Sequence, residues 1–276
     1  MRIFQILFLT LLLTNSCADL RTKAAKKNTD EAKAKRLLKE MGAAHGIQNW
    51  DKMATYTVEF EDQFYGKIGK KANPYSDSLT TFELSYVQKS FDGRMSFTSG
   101  EHSGKTWGIQ SWNTYEFNES GEAVFVKNED AYFWVPTYQY FIEFPLRIQE
   151  ATAVNYAGEQ TINGKVCEGI LASWETTKPQ KKIDQYLIWI DKDTKRICKL
   201  EYTIREVMSF IKGAVYFNDY VDYNGILLPS SLPVESNLVK NGYMHIMRIK
   251  SFRPDIYGIE ELRPNQELKT IGDEKP

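Results

Sequence analysis

Three histidines, three cysteines and a scatter of carboxylates are the groups from which this 276-residue chain could build a reactive site. His45, His102 and His245 stand far apart in sequence, without the short spacings that bring two imidazoles onto one metal. A hydrogen-bonded imidazole in the core or at the surface is the expected state of each. The run Gly100-Glu101-His102-Ser103-Gly104 has the outline of a nucleophile elbow, the strand-to-helix turn that presents a serine for attack on a carbonyl. That turn needs the serine midway between the glycines. Here His102 takes the middle place, between two strand-like segments, so a hairpin loop is expected. Gly158–Val166 ends in Gly164-Lys165 and has the outline of a phosphate loop. One residue too many separates its glycines, Val166 stands where a hydroxyl must hold magnesium, and no helical pattern follows. No catalytic residue, no metal site and no cofactor are expected, and an enzyme is disfavoured.

One cysteine does sit in a chemical context. Arg2 and the apolar run Ile3–Leu13 form a basic start and a stretch too short to cross a bilayer, which fits a secretory signal. The run ends in Leu13-Thr14-Asn15-Ser16-Cys17. This resembles the lipobox of bacterial lipoproteins, with Asn15 where a small or aliphatic residue is usual. The resemblance implies that residues 1–16 are a signal peptide and that Cys17 is acylated and holds the chain to a membrane. Ala18, rather than Asp, follows, which in the enterobacterial pattern implies the outer membrane of a Gram-negative bacterium, facing the periplasm. A secretory signal without lipidation is the other reading. Cys167 and Cys198 are expected to stay reduced. A strand at 184–191 falls between theirs, which separates them by about 9–10 Å, whereas a disulfide needs Cα atoms within about 7 Å.

The positions best suited to hold a ligand are aromatic. Tyr132–Ile148 places seven aromatic side chains in seventeen residues. From Val135, the positions Tyr138, Phe141 and Ile142 recur at the spacing of a buried helical face. Pro136 suits the first position of that helix, and Pro145 closes it by pushing Phe144 away from the α region. The plain reading is a core helix lying on a sheet, and the sharper one is a helix that lines an apolar cavity. In the sharper reading Trp134, Tyr138, Phe141 and Phe144 bind an apolar chain, with Phe60 and Tyr86 contributed by the sheet. Tyr138 and Trp134 could also orient a headgroup through their polar tips.

The elements that must position these groups alternate between two periods. Residues 17–27 read as a polar, lysine-rich tether. A helix follows, capped by Asn28, with Leu37, Leu38, Met41 and Ala44 as its apolar stripe. Gly42 and Gly46 break it, and Trp50 is placed to plug the core. From Thr55 the period becomes two: Tyr56, Val58 and Phe60 alternate with polar residues, as do Phe82, Leu84 and Tyr86. Gly66–Asp77 reads as a polar loop and Trp107–Phe117 as one long aromatic strand. Asn163-Gly164 and Asn224-Gly225 are hairpin turns. One domain is expected over residues 28–255, with a polar, loosely ordered tail at 256–276. The net charge of −1 lacks the concentrated basic surface that nucleic acid requires.

In order and spacing these pieces resemble the LolA/LolB-like, or lipoprotein-localisation, superfamily. The resemblance covers about residues 35–253 and rests on His45-Gly46-Ile47-Gln48-Asn49-Trp50 leading into the first strand, Tyr140–Leu146 with its aromatic-proline step, Tyr156–Lys165, Leu187–Cys198 and Tyr220–Pro229. It implies an α+β, mainly β fold, a curved antiparallel half-barrel with helices on the concave side. It also implies a hydrophobic ligand in the half-barrel: a lipid, an acyl chain or a lipidated peptide. The acceptor protein's apolar insertion loop has no counterpart legible in the sequence. Two functional classes stay open, an anchored binding module and an interaction or envelope-sensing module whose cavity is filled by its own helix. No protein partner is named by either.

Overall fold

The period-two segments form strands that a computed structural model describes, together with their helices, over residues 17–27 and 29–271. The signal peptide expected at 1–16 and the capping role expected of Asn28 both fall outside these residues. Fourteen strands make an antiparallel sheet that is not closed, so the fold is mainly β with few helices, the class expected. Their contacts divide the chain into two compact units. One comprises the chain through Leu38, Ala151–Val215 and Glu235–Lys240; the other comprises Lys39–Glu150, Tyr216–Val234 and the chain from Asn241 onward.

The second unit carries β1 (Thr55–Phe64), β2 (Leu79–Val87), β3 (Gly93–Phe97), β4 (Thr106–Gln110), β5 (Asn113–Phe117) and β6 (Ala123–Phe125). It also carries β12 (Asn218–Tyr223), most of β13 (Ile226–Ser236) and β14 (His245–Pro254). The order is β6-β5-β4-β3-β2-β1-β14-β13, with β12 paired to β13. Phe60 lies opposite Phe82 and Tyr56 opposite Tyr86, so β1 and β2 share one apolar face. The other face is polar, with Arg248 and Lys250 each 3.0 Å from Glu61. Half-exposed pairs of this kind contribute little beyond register. Trp50 caps the aromatic end, edge-on to Tyr56 and Phe252.

Two local expectations change. Trp107–Phe117 is not one strand but the hairpin of β4 and β5. Ser111 and Trp112 both adopt positive φ at its turn, and the Ser111 amide donates to Asp92 Oδ1 at 2.7 Å. Gly108 is what permits this hairpin to close, because the ring of Tyr115 lies where a Cβ at 108 would be. The Gly66–Asp77 loop contains helix α3 (Gly66–Ala72), after which Asn73 makes a turn that delivers Tyr75 into the core at 1% exposure. A seven-residue helix buries too few apolar positions to leave a period in the sequence.

The first unit is a meander in the order β11-β10-β9-β8-β7, formed by β7 (Ala153–Ile162), β8 (Lys165–Ser173), β9 (Tyr186–Asp191), β10 (Ile197–Thr203) and most of β11 (Lys212–Tyr216). Asn163 and Gly164 have positive φ at the β7–β8 turn, as an Asn-Gly hairpin requires. The stretch read as a tether is docked on this unit instead. Its residues Lys23–Lys27 form helix α1, Leu20 and Ala25 are buried, and Thr22 Oγ1 donates to the Ala157 carbonyl at 2.7 Å. The apolar residues Leu20 and Ala25 are too few to announce this burial against a lysine-rich background. Helix α2 (Glu31–Ala44) follows, and it is Asp30 that caps it, accepting from the Lys33 amide at 3.0 Å. The helix continues through Gly42, and Gly46, at φ 71°, ends the segment.

The segment after β14, expected to be loosely ordered, is tied down at least as far as Asn265. Leu262 is fully buried, Arg263 Nε donates to Asp92 Oδ2 at 2.6 Å, and Asn265 exchanges hydrogen bonds with Gln110.

Candidate functional site

The central segment forms α4 (Glu129–Ile142), followed by the short helix α5 (Phe144–Arg147). The helix begins seven residues before the expected Pro136, because Asn128 Oδ1 caps it by accepting from the Ala131 amide at 2.9 Å. Glu129 and Asp130 in the first turn add favourable charge at the positive end of the helix dipole. Pro136 is therefore an interior residue. α4 ends at Ile142, close to the expected stop, but not for the expected reason: Phe144 is the first residue of α5, so Pro145 is an early residue of that next helix and does not push Phe144 out of the α region.

All six aromatic residues singled out as ligand contacts are buried, and all belong to the second unit. Trp134 and Phe141 keep 8% and 9% exposure, while Phe60, Tyr86, Tyr138 and Phe144 keep 2% or less. Phe60 lies 5.0 Å from the Tyr138 ring, and Tyr138 lies 5.5 Å from Trp134. The Tyr86 hydroxyl donates to the Val135 carbonyl at 2.7 Å, tying the sheet to the helix. Phe144 packs apart from these, against Tyr140 and Phe217. The structure thus brings Phe60, Tyr86, Trp134 and Tyr138 into one layer.

At the centre of the layer is a polar cluster that the sequence reading missed. Tyr138 donates to Asp62 Oδ2 at 2.8 Å and lies 2.8 Å, hydroxyl to hydroxyl, from Tyr75. His245 Nδ1 is 2.8 and 2.9 Å from the two Asp62 oxygens. Its ring stacks on Phe64 at 4.9 Å and meets Trp134 edge-on. Asp62 is wholly buried and His245 is 4% exposed. Burial pushes the hydroxyls of Tyr75 and Tyr138 well above the ordinary tyrosine range, and the neighbouring Asp62 charge pushes them further. Both phenols are consequently neutral donors. A signal for Asp62 was present, since it continues the inward series Tyr56, Val58, Phe60 on β1. His245 lies opposite Phe64 in register, on the same face. Nothing comparable marked Tyr75.

A second buried polar group closes the helix. Glu143 and Arg147 pair at 2.8 Å, Gln139 Nε2 donates to Glu143 at 2.9 Å, and the Arg147 guanidinium lies 3.8 Å from the centre of the Phe91 ring. This arrangement sets a buried carboxylate against a buried guanidinium.

The other candidates stand where simple packing puts them. His45 contacts the Leu227 carbonyl at 3.2 Å, and His102 sits in the β3–β4 hairpin loop against Phe97 and Trp107. Among the described residues no group of three metal-ligating side chains is arranged to hold an ion. Cys17, Cys167 and Cys198 are all free thiols. Cys167 and Cys198 lie on β8 and β10 with β9 between them, but the separation expected from that order does not keep their thiols apart: they hydrogen-bond to one another, and burial, with this contact, pushes the Cys167 thiol up to about 12. Cys17 is partly exposed and follows residues outside the described range.

No protein-family model and no curated protein matches the sequence. Solved structures do match. A domain described as outer-membrane lipoprotein-sorting from Vibrio parahaemolyticus aligns with 85% of this chain and 98% of its own, at 12% identity and a TM-score of 0.55. A LolA superfamily protein from Nitrosomonas europaea covers 84% of this chain and 96% of its own, at 8% identity and a TM-score of 0.52. A DUF1329 family protein from Desulfovibrio piger covers 84% and 96%, at 12% identity and a TM-score of 0.51. At these identities the likeness is one of fold.

Proposed function

We propose that this chain, LolA/LolB-like in fold, is an envelope lipoprotein that holds an apolar chain in the aromatic layer beneath α4. The ligand is a lipid, an acyl chain or a lipidated peptide, and the role is one of binding without chemistry on the ligand. The observation that carries this reading is the composition of the layer. It consists of large aromatic side chains around a few convergent polar groups, Asp62, His245, Tyr75 and Tyr138. Ligand sites are composed in this way, with apolar walls for affinity and few polar groups for orientation. The ligand enters by displacing part of α4, and the Tyr138 and His245 cluster meets its polar end. Acylated Cys17 holds the chain to the outer membrane, on its periplasmic side; among the described residues no helix is long and apolar enough to cross a bilayer.

A specific observation favours a second reading. The six aromatics are at most 9% exposed, and four of them pack together in one layer, as they would in a module whose interior is filled by its own helix and whose surface meets a protein. Displacement of an apolar fluorescent dye by long-chain fatty acids separates the two. Saturable displacement, weakened by Phe141→Ala, supports the ligand reading. Absence of any displaceable dye leaves the self-filled module.

A further inference from the structure

The residues nearest Cys17 form an arrangement that the aromatic layer does not explain. The Ala18 amide donates to the Ser209 carbonyl at 2.8 Å, and Arg205 Nη2 donates to the Ala18 carbonyl at 2.6 Å. Arg205 also donates through Nη1 to the Ser209 carbonyl. Leu20 continues the attachment through its amide to Gln185 Oε1 at 3.1 Å. Cys17 is therefore fixed one residue from a pin, beside the loop that joins β10 to β11.

That loop is built to present apolar side chains outward. Its backbone closes on itself, with the Met208 amide bonded to the Ile204 carbonyl and the Ile211 amide to the Met208 carbonyl, both at 3.1 Å. Ile211 is buried beneath it, while Val207, Met208 and Phe210 are 46%, 50% and 46% exposed. Asn237 attaches a second segment: its Nδ2 donates to the Phe210 carbonyl at 3.1 Å, and the next residue, Leu238, is 45% exposed. Scattered exposed apolar residues are ordinary, but four on two hydrogen-bonded loops next to Ala18 are a patch.

Basic residues border the patch. Asp184, at the end of the β8–β9 connection, accepts from Thr203 Oγ1 and the Arg205 amide at 2.7 and 2.8 Å. That connection carries exposed Lys178, Lys181 and Lys182, and the two apolar loops are bordered by exposed Lys212 and Lys240. Glu175 and Glu206 are the exposed acids of the same loops, so cations prevail.

We propose that this face seats the first unit on a lipid surface bearing anionic headgroups, with Val207, Met208, Phe210 and Leu238 entering the interfacial layer and the lysines meeting the headgroups. The proposal rests on the reading of Cys17 as the acylated end. Because residues 17–27 are docked, an acyl group on Cys17 leaves no slack. Consecutive Cα atoms are about 3.8 Å apart, so the pinned loop must lie within about a nanometre of the headgroups. Apolar tips ringed by lysines are the composition that binds such an interface. The role is to orient the chain on its membrane.

Flotation of the acyl-free Cys17→Ser chain with vesicles of about 3:1 phosphatidylethanolamine and phosphatidylglycerol tests the face apart from the anchor. Binding should be saturable, weaken as salt rises, and fall about tenfold or more in the Val207→Ser/Met208→Ser/Phe210→Ser variant. These side chains are exposed, so the variant should melt as the parent does. If it does not, Lys178→Glu/Lys181→Glu/Lys182→Glu replaces it, with the same loss expected. Failure of the parent to float, or equal flotation of parent and variant, overturns the proposal. So does a parent dimer that the variant abolishes without change in vesicle binding, because the face would then meet a second copy. Failure of the anchor reading is a separate result: the chain extracted from membranes would carry no acyl mass.

Discussion

Tyr138 is the residue on which the interior turns, since its single hydroxyl lies between Tyr75 and Asp62. Tyr138→Phe should cost about 1–3 kcal/mol in urea unfolding, because it leaves two buried partners short of a hydrogen bond. Asp62→Ala should cost more, about 3–5 kcal/mol, since it removes the buried partner of both Tyr138 and His245. A Tyr138→Phe chain as stable as the parent would show that the cluster is incidental. The thiols offer a separate check. With its thiol pushed up to about 12 by burial, Cys167 should resist alkylation at pH 8 in the native state. After unfolding without reductant, Cys167 and Cys198 should both titrate as free thiols; their absence would mean a disulfide. At this scale the sequence was partly legible. Phe60 and Tyr86 follow from alternation alone, and Asp62 was readable as a carboxylate in an inward position. Tyr75 was not, because it arrives from a loop whose path depends on the Asn73 turn.

At the scale of elements, α4 decides the arrangement. Its aromatic content and its end before Pro145 were legible. Its start was not, because a proline inside a helix reads as a first-turn residue when the capping Asn128 lies in a weakly patterned stretch. Asn128→Ala should cost about 1 kcal/mol, read as a lowered urea midpoint with an unchanged slope. Phe141→Ala should cost about 3–5 kcal/mol as a packing loss. If α4 covers a ligand, the same change should also reduce dye or fatty-acid affinity under conditions where the chain remains folded. The docking of residues 17–27 was hidden for a different reason. It relies on backbone hydrogen bonds and on Asn155 and Gln185, which carry no hydrophobic period.

The whole molecule stores neutral phenols in its interior, and this gives its stability an alkaline limit. Burial, first of all, holds Tyr56, Tyr75, Tyr86 and Tyr138 well above the ordinary range, and nearby carboxylates add to it. In the unfolded chain these groups ionise near pH 10, while in the folded chain they keep their protons. Above that pH the folded state binds more protons, so stability present below about pH 10 is lost as the pH rises further. Tyrosinate absorbance should accordingly rise in two stages, the second coinciding with loss of near-ultraviolet circular dichroism. A single smooth rise in a folded chain would contradict this. The central claim, that the layer beneath α4 holds an apolar chain, is tested most directly by mass spectrometry of lipid extracted from the purified Cys17→Ser chain, residues 17–276. The account predicts a co-purifying lipid or acyl chain in near-stoichiometric amount, reduced in Phe141→Ala. A lipid-free chain that also binds no displaceable apolar dye would contradict it.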